Sequence, residues 1–100
     1  MIVYTPAAKL DIQNILQPVY TACRDEETTL NYVNALVEKV EKKERLPRSG
    51  TPLYWKSHFT GYFFVVYKAY IAFYRIEGDG IVIERILPSK SDFGRWLPLG

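Results

Sequence analysis

The pattern of apolar and polar positions is clearest between residues 61 and 87, where β-branched and aromatic side chains alternate with charged ones. Two short segments interrupt it, Tyr67-Lys68-Ala69-Tyr70 and Glu77-Gly78-Asp79-Gly80. Both fit tight reversals, and the second fits better because Gly and Asp tolerate a positive φ. The pattern predicts three consecutive antiparallel strands, and we expect nearly all of the sheet to lie there.

The alternation also predicts which face of this sheet is covered. Side chains on one strand point to opposite sides, which places Ala72, Tyr74 and Ile76 on one face and Ile71, Phe73 and Arg75 on the other. Because the guanidinium of Arg75 should prefer water, we expect the Ala72 face to pack against helices.

A short strand and a first helix are predicted at the start of the chain. Ile2-Val3-Tyr4 reads as a strand, Thr5 can supply a cap oxygen, and Pro6 suits the first turn of a helix. The helix has an apolar stripe of Leu10 or Ala8, then Ile12, Ile15, Leu16, Val19 and Cys23. Pro18 inside this stretch predicts a kink or a break near residues 15–17.

A second helix is predicted after Asp25-Glu26-Glu27, whose acids suit the positive end of a helix dipole. Its inner stripe is Leu30, Val33, Leu36, Val37 and Val40. The charges at residues 39–44 are typical of a solvated helix end, and residues 46–52 are expected to form a loop. We therefore expect one α+β domain over residues 1–100, with an N-terminal strand, a helical hairpin and a three-stranded antiparallel meander.

Composition limits the classes of function. The chain has 100 residues, of which 48% are hydrophobic, which is enough for one core. No apolar run approaches the roughly 20 residues that span a bilayer, and the start lacks a signal-peptide pattern, so a cytoplasmic location without membrane contact is expected. Cys23 is the single cysteine, and no metal-ligand cluster or phosphate-binding loop stands out, so we expect no cofactor and no metal.

Charge divides unevenly along the chain. Residues 1–44 carry five basic and seven acidic groups, whereas residues 45–100 carry eight basic and four acidic groups. An anionic partner, whether nucleic acid or an acidic peptide, is therefore expected at the sheet half. The excess is too small to indicate tight general binding of nucleic acid.

The motifs together resemble the RelE/ParE toxin superfamily. The resemblance rests on the strand and helical hairpin, the Leu46-Pro47 to Pro52-Leu53 loop, the Phe73-Tyr74-Arg75-Ile76 and Arg85-Ile86-Leu87 strands and the Lys90-Ser91-Asp92-Phe93 tail. It implies a growth-inhibiting toxin of a type II toxin–antitoxin module. It also implies a cognate antitoxin, whose segment would lie in a groove beside the helical hairpin and over the sheet.

The superfamily contains two activities that the sequence must distinguish. RelE-like members are ribosome-dependent mRNA endonucleases, and ParE-like members poison DNA gyrase. The basic residues of the ribonucleases would fall at Tyr62, Phe64, Ile71 and Ser91, none of which is basic. Since one lost electrostatic stabiliser typically costs about 10²–10³-fold in rate, this favours the ParE-like activity.

The tail departs from the ribonuclease pattern too. Related toxins commonly read His-x-Lys/Arg-Arg-Asp-Tyr after the last strand, where this chain has Pro88 to Phe93. His58, the single histidine, is expected in a loop before the sheet. The reserve candidates for catalysis are His58, Arg75, Lys90 and Asp92.

The remaining candidates suit binding rather than chemistry. Basic side chains can hold an acidic partner and aromatic ones can anchor it, which selects Arg75, Arg85, Lys90, Phe93, Arg95 and Trp96. Arg75 and Arg85 could instead form a ladder with Glu77 and Glu84. Trp55 and Trp96 are also typical of residues at the edge of the core, which are more common than target contacts.

Three hypotheses follow. The first is a ParE-like toxin that binds a target such as gyrase through the sheet and the segment Lys90 to Leu99. The second is a ribosome-dependent mRNA endonuclease with a rearranged site. The third is an inactive protein that still binds the antitoxin.

Overall fold

The computed structural model describes residues 1–97, in which two helices and a five-stranded sheet form the fold. The helices are α1 (Pro6–Cys23) and α2 (Glu26–Glu41). The strands are β1 (Ile2–Tyr4), β2 (Thr51–Trp55), β3 (His58–Tyr67), β4 (Tyr70–Glu77) and β5 (Gly80–Pro88). Their order across the sheet is β1-β5-β4-β3-β2, and β1 runs parallel to β5 while all other neighbours are antiparallel.

The predicted α+β class and the meander of β3, β4 and β5 are confirmed, but the sheet is larger than predicted. Thr51–Trp55 forms β2, whereas the sequence predicts a loop at Thr51 and Pro52. Pro52 is compatible with this strand because β2 lies at the edge of the sheet. His58 is the first residue of β3 and does not lie in a loop.

The main core lies between the helices and the sheet. The predicted face of β4 does meet the helices, since Ala72 and Tyr74 are buried there and Ile76 packs against the same cluster. Helix α1 contributes Ala8 and Ile15. Of the two residues predicted as alternatives at the start of its apolar stripe, Ala8 is buried and Leu10 is exposed. Helix α2 contributes Val33, Leu36 and Val40.

Two helical predictions need correction. Of the kink or break predicted near residues 15–17, the break does not occur, since helix α1 continues through Pro18 to Cys23. Pro18 and Asn14 are both exposed, so water can satisfy the Asn14 carbonyl that a proline leaves without its helical partner. In α2, Leu30 was predicted on the inner stripe but is 49% exposed, and Thr29 is buried instead. The Thr29 hydroxyl donates to the Asp25 carbonyl at 2.8 Å, so its polar group is satisfied at this buried position.

A β-bulge in β5 decides which way its charged residues point. Phe73 pairs with Arg85 and Tyr74 pairs with Ile83, which leaves Glu84 as an extra residue. Ile81, Ile83 and Ile86 can therefore all reach the helix-side core, which strict alternation would not allow. The bulge thus turns Arg85 away from that core.

Candidate functional site

The face of the sheet opposite the helices carries a second, smaller core. Phe73 and Tyr62 are buried in it, together with Leu53, Leu87 and Leu97. We call this side the outer face. It is covered in part by residues 89–97, which we call the C-terminal strap.

The strap reaches the outer face because its own apolar side chains pack there. The Phe93 ring lies 5.2 Å from the Phe73 ring, and Leu97 is buried. The Ser89 amide donates to the Ala69 carbonyl at 2.8 Å, which holds the start of the strap to the β3–β4 turn. Of the tail candidates, Phe93 therefore packs on the outer face. Of the predicted segment that ends at Leu99, residues 98–99 lie outside the described residues.

Arg85 connects helix α1, strand β5 and the strap. Its Nε and Nη2 atoms donate to the Asp11 carboxylate at 2.7 Å and 2.8 Å, and Asp11 also accepts from the Ile86 amide at 2.9 Å. The guanidinium lies 5.4 Å from the centre of the Trp96 ring. Hydrogen bonding to Asp11 raises the pKa of Arg85, which keeps it charged. Arg85 therefore positions Trp96 as part of the fold.

Arg75 forms a separate ion-pair cluster on the outer face. Its Nε donates to Glu84 at 2.7 Å and its Nη1 donates to Glu77 at 2.9 Å. Hydrogen bonding to Glu84 is the main cause that raises the pKa of Arg75. The ladder alternative thus holds for Arg75, whereas Arg85 pairs with Asp11 instead of Glu84.

The outward side of the strap is basic and aromatic. Lys90 and Arg95 are exposed, and Trp96 is 51% exposed. The β2–β3 hairpin adds Trp55, whose ring would lie 2.9 Å from a Cβ at Gly94, so glycine permits their close approach. We call Trp55, Lys90, Arg95 and Trp96 the strap surface.

The hairpin beside the strap surface is backbone-strained. Lys56 and Ser57 connect β2 to β3 with φ values of 51° and 69°, a region that residues with a side chain rarely adopt. His58 follows and pairs with Trp55 across the hairpin. The turn presents Lys56 and His58 to solvent beside the strap.

The reserve catalytic residues lie at exposed or already paired positions. His58, Lys90 and Asp92 are exposed, and Arg75 is ion-paired with Glu77 and Glu84. In the part of the chain that the structure describes, no group of three or more His, Cys, Asp or Glu residues is arranged to hold a metal ion. No helix among those residues is long and apolar enough to cross a membrane.

The positions that would be basic in the ribonucleases belong to the outer face or its cover. Tyr62 is buried, and Phe64 and Ile71 pack against the same apolar cluster, while Ser91 lies in the strap. Burial raises the pKa of Tyr62, so its hydroxyl stays protonated at neutral pH. The arrangement suits packing and offers no cation to a phosphate at these four positions.

Sequence reasoning missed Asp11 and gave Trp55 little weight. Asp11 has a detectable signal, because it lies three residues after Ala8 and four before Ile15 on the inner stripe of α1. A carboxylate on a buried stripe requires a cationic or hydrogen-bonding partner. The approach of Trp55 to Gly94 joins residues 39 positions apart in the sequence and gives no local signal.

Comparisons with known proteins agree with this architecture. The family model of the ParE toxin of type II toxin–antitoxin systems matches residues 2–93. The chain is 22% identical to one in a chromosomal ParDE toxin–antitoxin system from P. aeruginosa, covering 87% of this chain and 92% of that one with a TM-score of 0.70.

Two further solved structures resemble the chain. For the RelBE2 toxin–antitoxin complex from Mycobacterium tuberculosis the identity is 25%, the coverage 88% and 95%, and the TM-score 0.59. For a RelB–RelE antitoxin–toxin complex from Methanococcus jannaschii the identity is 14%, the coverage is 95% of this chain and 99% of that one, and the TM-score is 0.55. No curated protein matches the chain in sequence.

Proposed function

The chain belongs to the ParE toxin family of type II toxin–antitoxin systems, and from this we propose that it inhibits growth by binding DNA gyrase, without cutting RNA. The observation that carries the choice of activity is the covered outer face. A ribonuclease of this superfamily is expected to present cations there, and this chain presents Tyr62, Phe64 and Ile71 under the strap.

The strap surface is the proposed contact with gyrase. Trp55 and Trp96 offer large rings at low entropic cost, and Lys90 and Arg95 can approach acidic groups on the target. Phe93 and Arg85 support this surface without forming it. Phe93 packs on Phe73, and the Arg85 guanidinium packs against the Trp96 ring. Arg75 contributes less in this proposal because two glutamates already neutralise it.

An antitoxin is the second proposed partner, in keeping with the toxin–antitoxin complexes that the chain resembles. Helices α1 and α2 form a groove whose apolar lining includes Leu16, Tyr20 and Leu30. Tyr20 and Leu30 are about half exposed, so an amphipathic antitoxin segment could bury both. This groove lies on the helices, and the strap surface lies on the opposite side of the sheet.

The first test is expression of the protein alone in bacteria, with DNA synthesis and translation followed separately by pulse labelling. We expect DNA synthesis to fall first. Purified protein should also inhibit supercoiling by purified gyrase. An early fall in translation with new mRNA ends would instead identify an endonuclease, and unimpaired growth would identify an inactive protein.

The site is tested with variants that spare the fold. Because Lys90 and Arg95 are exposed, Lys90→Glu with Arg95→Glu should weaken gyrase inhibition at least tenfold, about 1.4 kcal/mol of binding. Lys9→Glu reverses an exposed cation on α1 and is the matched control. Arg85→Ala is unsuitable because it also breaks the Asp11 contact. Equal inhibition by the double variant and the control would remove the strap surface from the proposal.

A further inference from the structure

The segment between α2 and β2 concentrates positive charge away from the strap. Residues 42–49, which we call the connector, contain Lys42, Lys43, Arg45 and Arg48 against one acid, Glu44. Glu44 is paired with the amino group of Met1. The connector therefore has a net positive charge, and its one carboxylate already forms an ion pair with Met1.

The cations of the connector are largely free of intramolecular partners. Lys42 lies 3.9 Å from Glu38, a distance typical of a weak exposed pair. Within residues 1–97, no ion pair is present for Lys43, Arg45 or Arg48. These charges are available to a partner without first breaking a bond.

An exposed leucine lies among these charges. Leu46 is 71% exposed and borders two shallow grooves. One groove is lined by Lys42, Lys43, Arg45, Leu46 and Ser49. The other is lined by Leu46, Pro47, Arg48, Ser49, Ile76 and Gly78. An apolar side chain of a partner could contact Leu46 and Ile76 while its flanking carboxylates meet cations on both sides.

The connector is held to the core, so it is already ordered. The buried hydroxyl of Tyr74 donates to the Pro47 carbonyl at 2.6 Å and accepts from the Gly50 amide at 3.0 Å. A Cβ at Gly50 would lie 2.2 Å from that hydroxyl oxygen, so the approach requires glycine. Because a fixed surface loses little conformational entropy on binding, this attachment favours recognition.

We propose that the connector is a second protein-binding surface, which takes an acidic peptide segment carrying a branched apolar side chain between its carboxylates. Charge complementarity selects an anionic partner. The described residues that line the two grooves include no aromatic ring on which a nucleotide base could stack, which favours a peptide over single-stranded nucleic acid. The inference concerns a different surface from the proposed gyrase contact and does not depend on it.

The test begins with selection from a displayed library of random 12-residue peptides against the whole protein. We expect enriched peptides to place Leu, Ile or Val between Asp or Glu residues. A synthetic peptide of the enriched sequence is then titrated by fluorescence anisotropy. Affinity should fall at least tenfold for Arg45→Glu with Arg48→Glu, and for Leu46→Ser, about 1.4 kcal/mol each.

Charge exchange supplies the sharpest control. The Arg45→Glu, Arg48→Glu protein should recover binding to a peptide whose acids are replaced by lysines. Lys9→Glu and Leu10→Ser, which change exposed residues of α1, should bind the original peptide as the unaltered protein does. Gyrase inhibition by the connector variants is measured in parallel, so that failure of either proposal is seen separately.

Three outcomes would overturn the inference. Enriched peptides without acidic residues would remove the charge argument, and equal affinity of the connector and control variants would move the peptide to another surface. Tighter binding of a single-stranded RNA or duplex DNA oligonucleotide than of the peptide, lost in the same variants, would replace the peptide with nucleic acid.

Discussion

At the scale of single residues, Asp11 is the position where the structure adds most to the sequence. The Asp11 carboxylate accepts from both the Arg85 guanidinium and the Ile86 amide. Removal of this carboxylate therefore leaves both donors without their partner. We expect Asp11→Ala to lower the free energy of unfolding by about 2–3 kcal/mol, because the largely buried charge of Arg85 and the buried Ile86 amide are left unpaired. Urea denaturation of the purified protein measures the change.

The control for this prediction is a solvent-exposed ion pair. Glu38 and Lys42 are both about 70% exposed, so Glu38→Ala should change the free energy of unfolding by at most about 0.5 kcal/mol. Similar losses in Asp11→Ala and Glu38→Ala would show that the Asp11 contacts do not stabilise the fold as argued.

Tyr74 is a second residue whose polar atom is expected to stabilise the fold, since its hydroxyl forms two hydrogen bonds although its ring lies in the core. Tyr74→Phe keeps the ring in place but leaves the Pro47 carbonyl and the Gly50 amide without their partner. The expected loss is about 2 kcal/mol by thermal or urea unfolding. Tyr54→Phe removes an exposed hydroxyl and should be neutral. A loss no larger than that of Tyr54→Phe would contradict the role given to the Tyr74 hydroxyl.

At the scale of elements, helix α1 contains a proline that it does not need. Pro18→Ala should raise the free energy of unfolding by about 1–2 kcal/mol. The substitution restores a helical N–H hydrogen bond, and this gain exceeds the loss caused by the greater conformational freedom of the unfolded chain. Differential scanning calorimetry would detect the higher melting temperature.

Pro6→Ala is the comparison for this prediction. Pro6 occupies the first turn of α1, where proline is favourable, so its replacement should be neutral or slightly destabilising. A Pro18→Ala protein that is less stable than the unaltered one would show that the tertiary packing of α1 requires the proline.

At the scale of the whole molecule, the two faces of the sheet carry separate probes of unfolding. Both tryptophans, Trp55 and Trp96, lie on the strap surface, whereas far-ultraviolet circular dichroism is dominated by the helices on the other face. Because both cores share β3, β4 and β5, we expect the two signals to change together in urea, as one cooperative transition. This measurement also tests the prediction of a single domain.

Separate transitions would give a different picture of the molecule. If fluorescence changed at a lower urea concentration than circular dichroism, the strap would detach while the helices and sheet remained folded. The strap surface would then be a mobile segment, and the gyrase proposal would require it to order on binding.

The sequence by itself determined the meander, the helical hairpin and the face of β4 that meets the helices. These follow from local periodicity, since alternation has a period of two residues in strands and of 3.6 in helices. The two turns between β3, β4 and β5 were likewise readable from their residues. The sequence also determined that the four ribonuclease positions carry no cation, because that depends on residue identity alone.

The tertiary structure alone decided the rest. Strand β2 has one buried residue and a proline, so it shows no periodicity, and its pairing with β3 makes it a strand. The Asp11–Arg85 contact joins residues 74 positions apart. The bulge at Glu84 is set by the pairing of β5 with β4, and the strap covers the outer face through the packing of Phe93 and Leu97. Such contacts depend on which distant segments of the chain meet in the folded protein. The local periodicity of apolar residues does not depend on that and therefore cannot predict it.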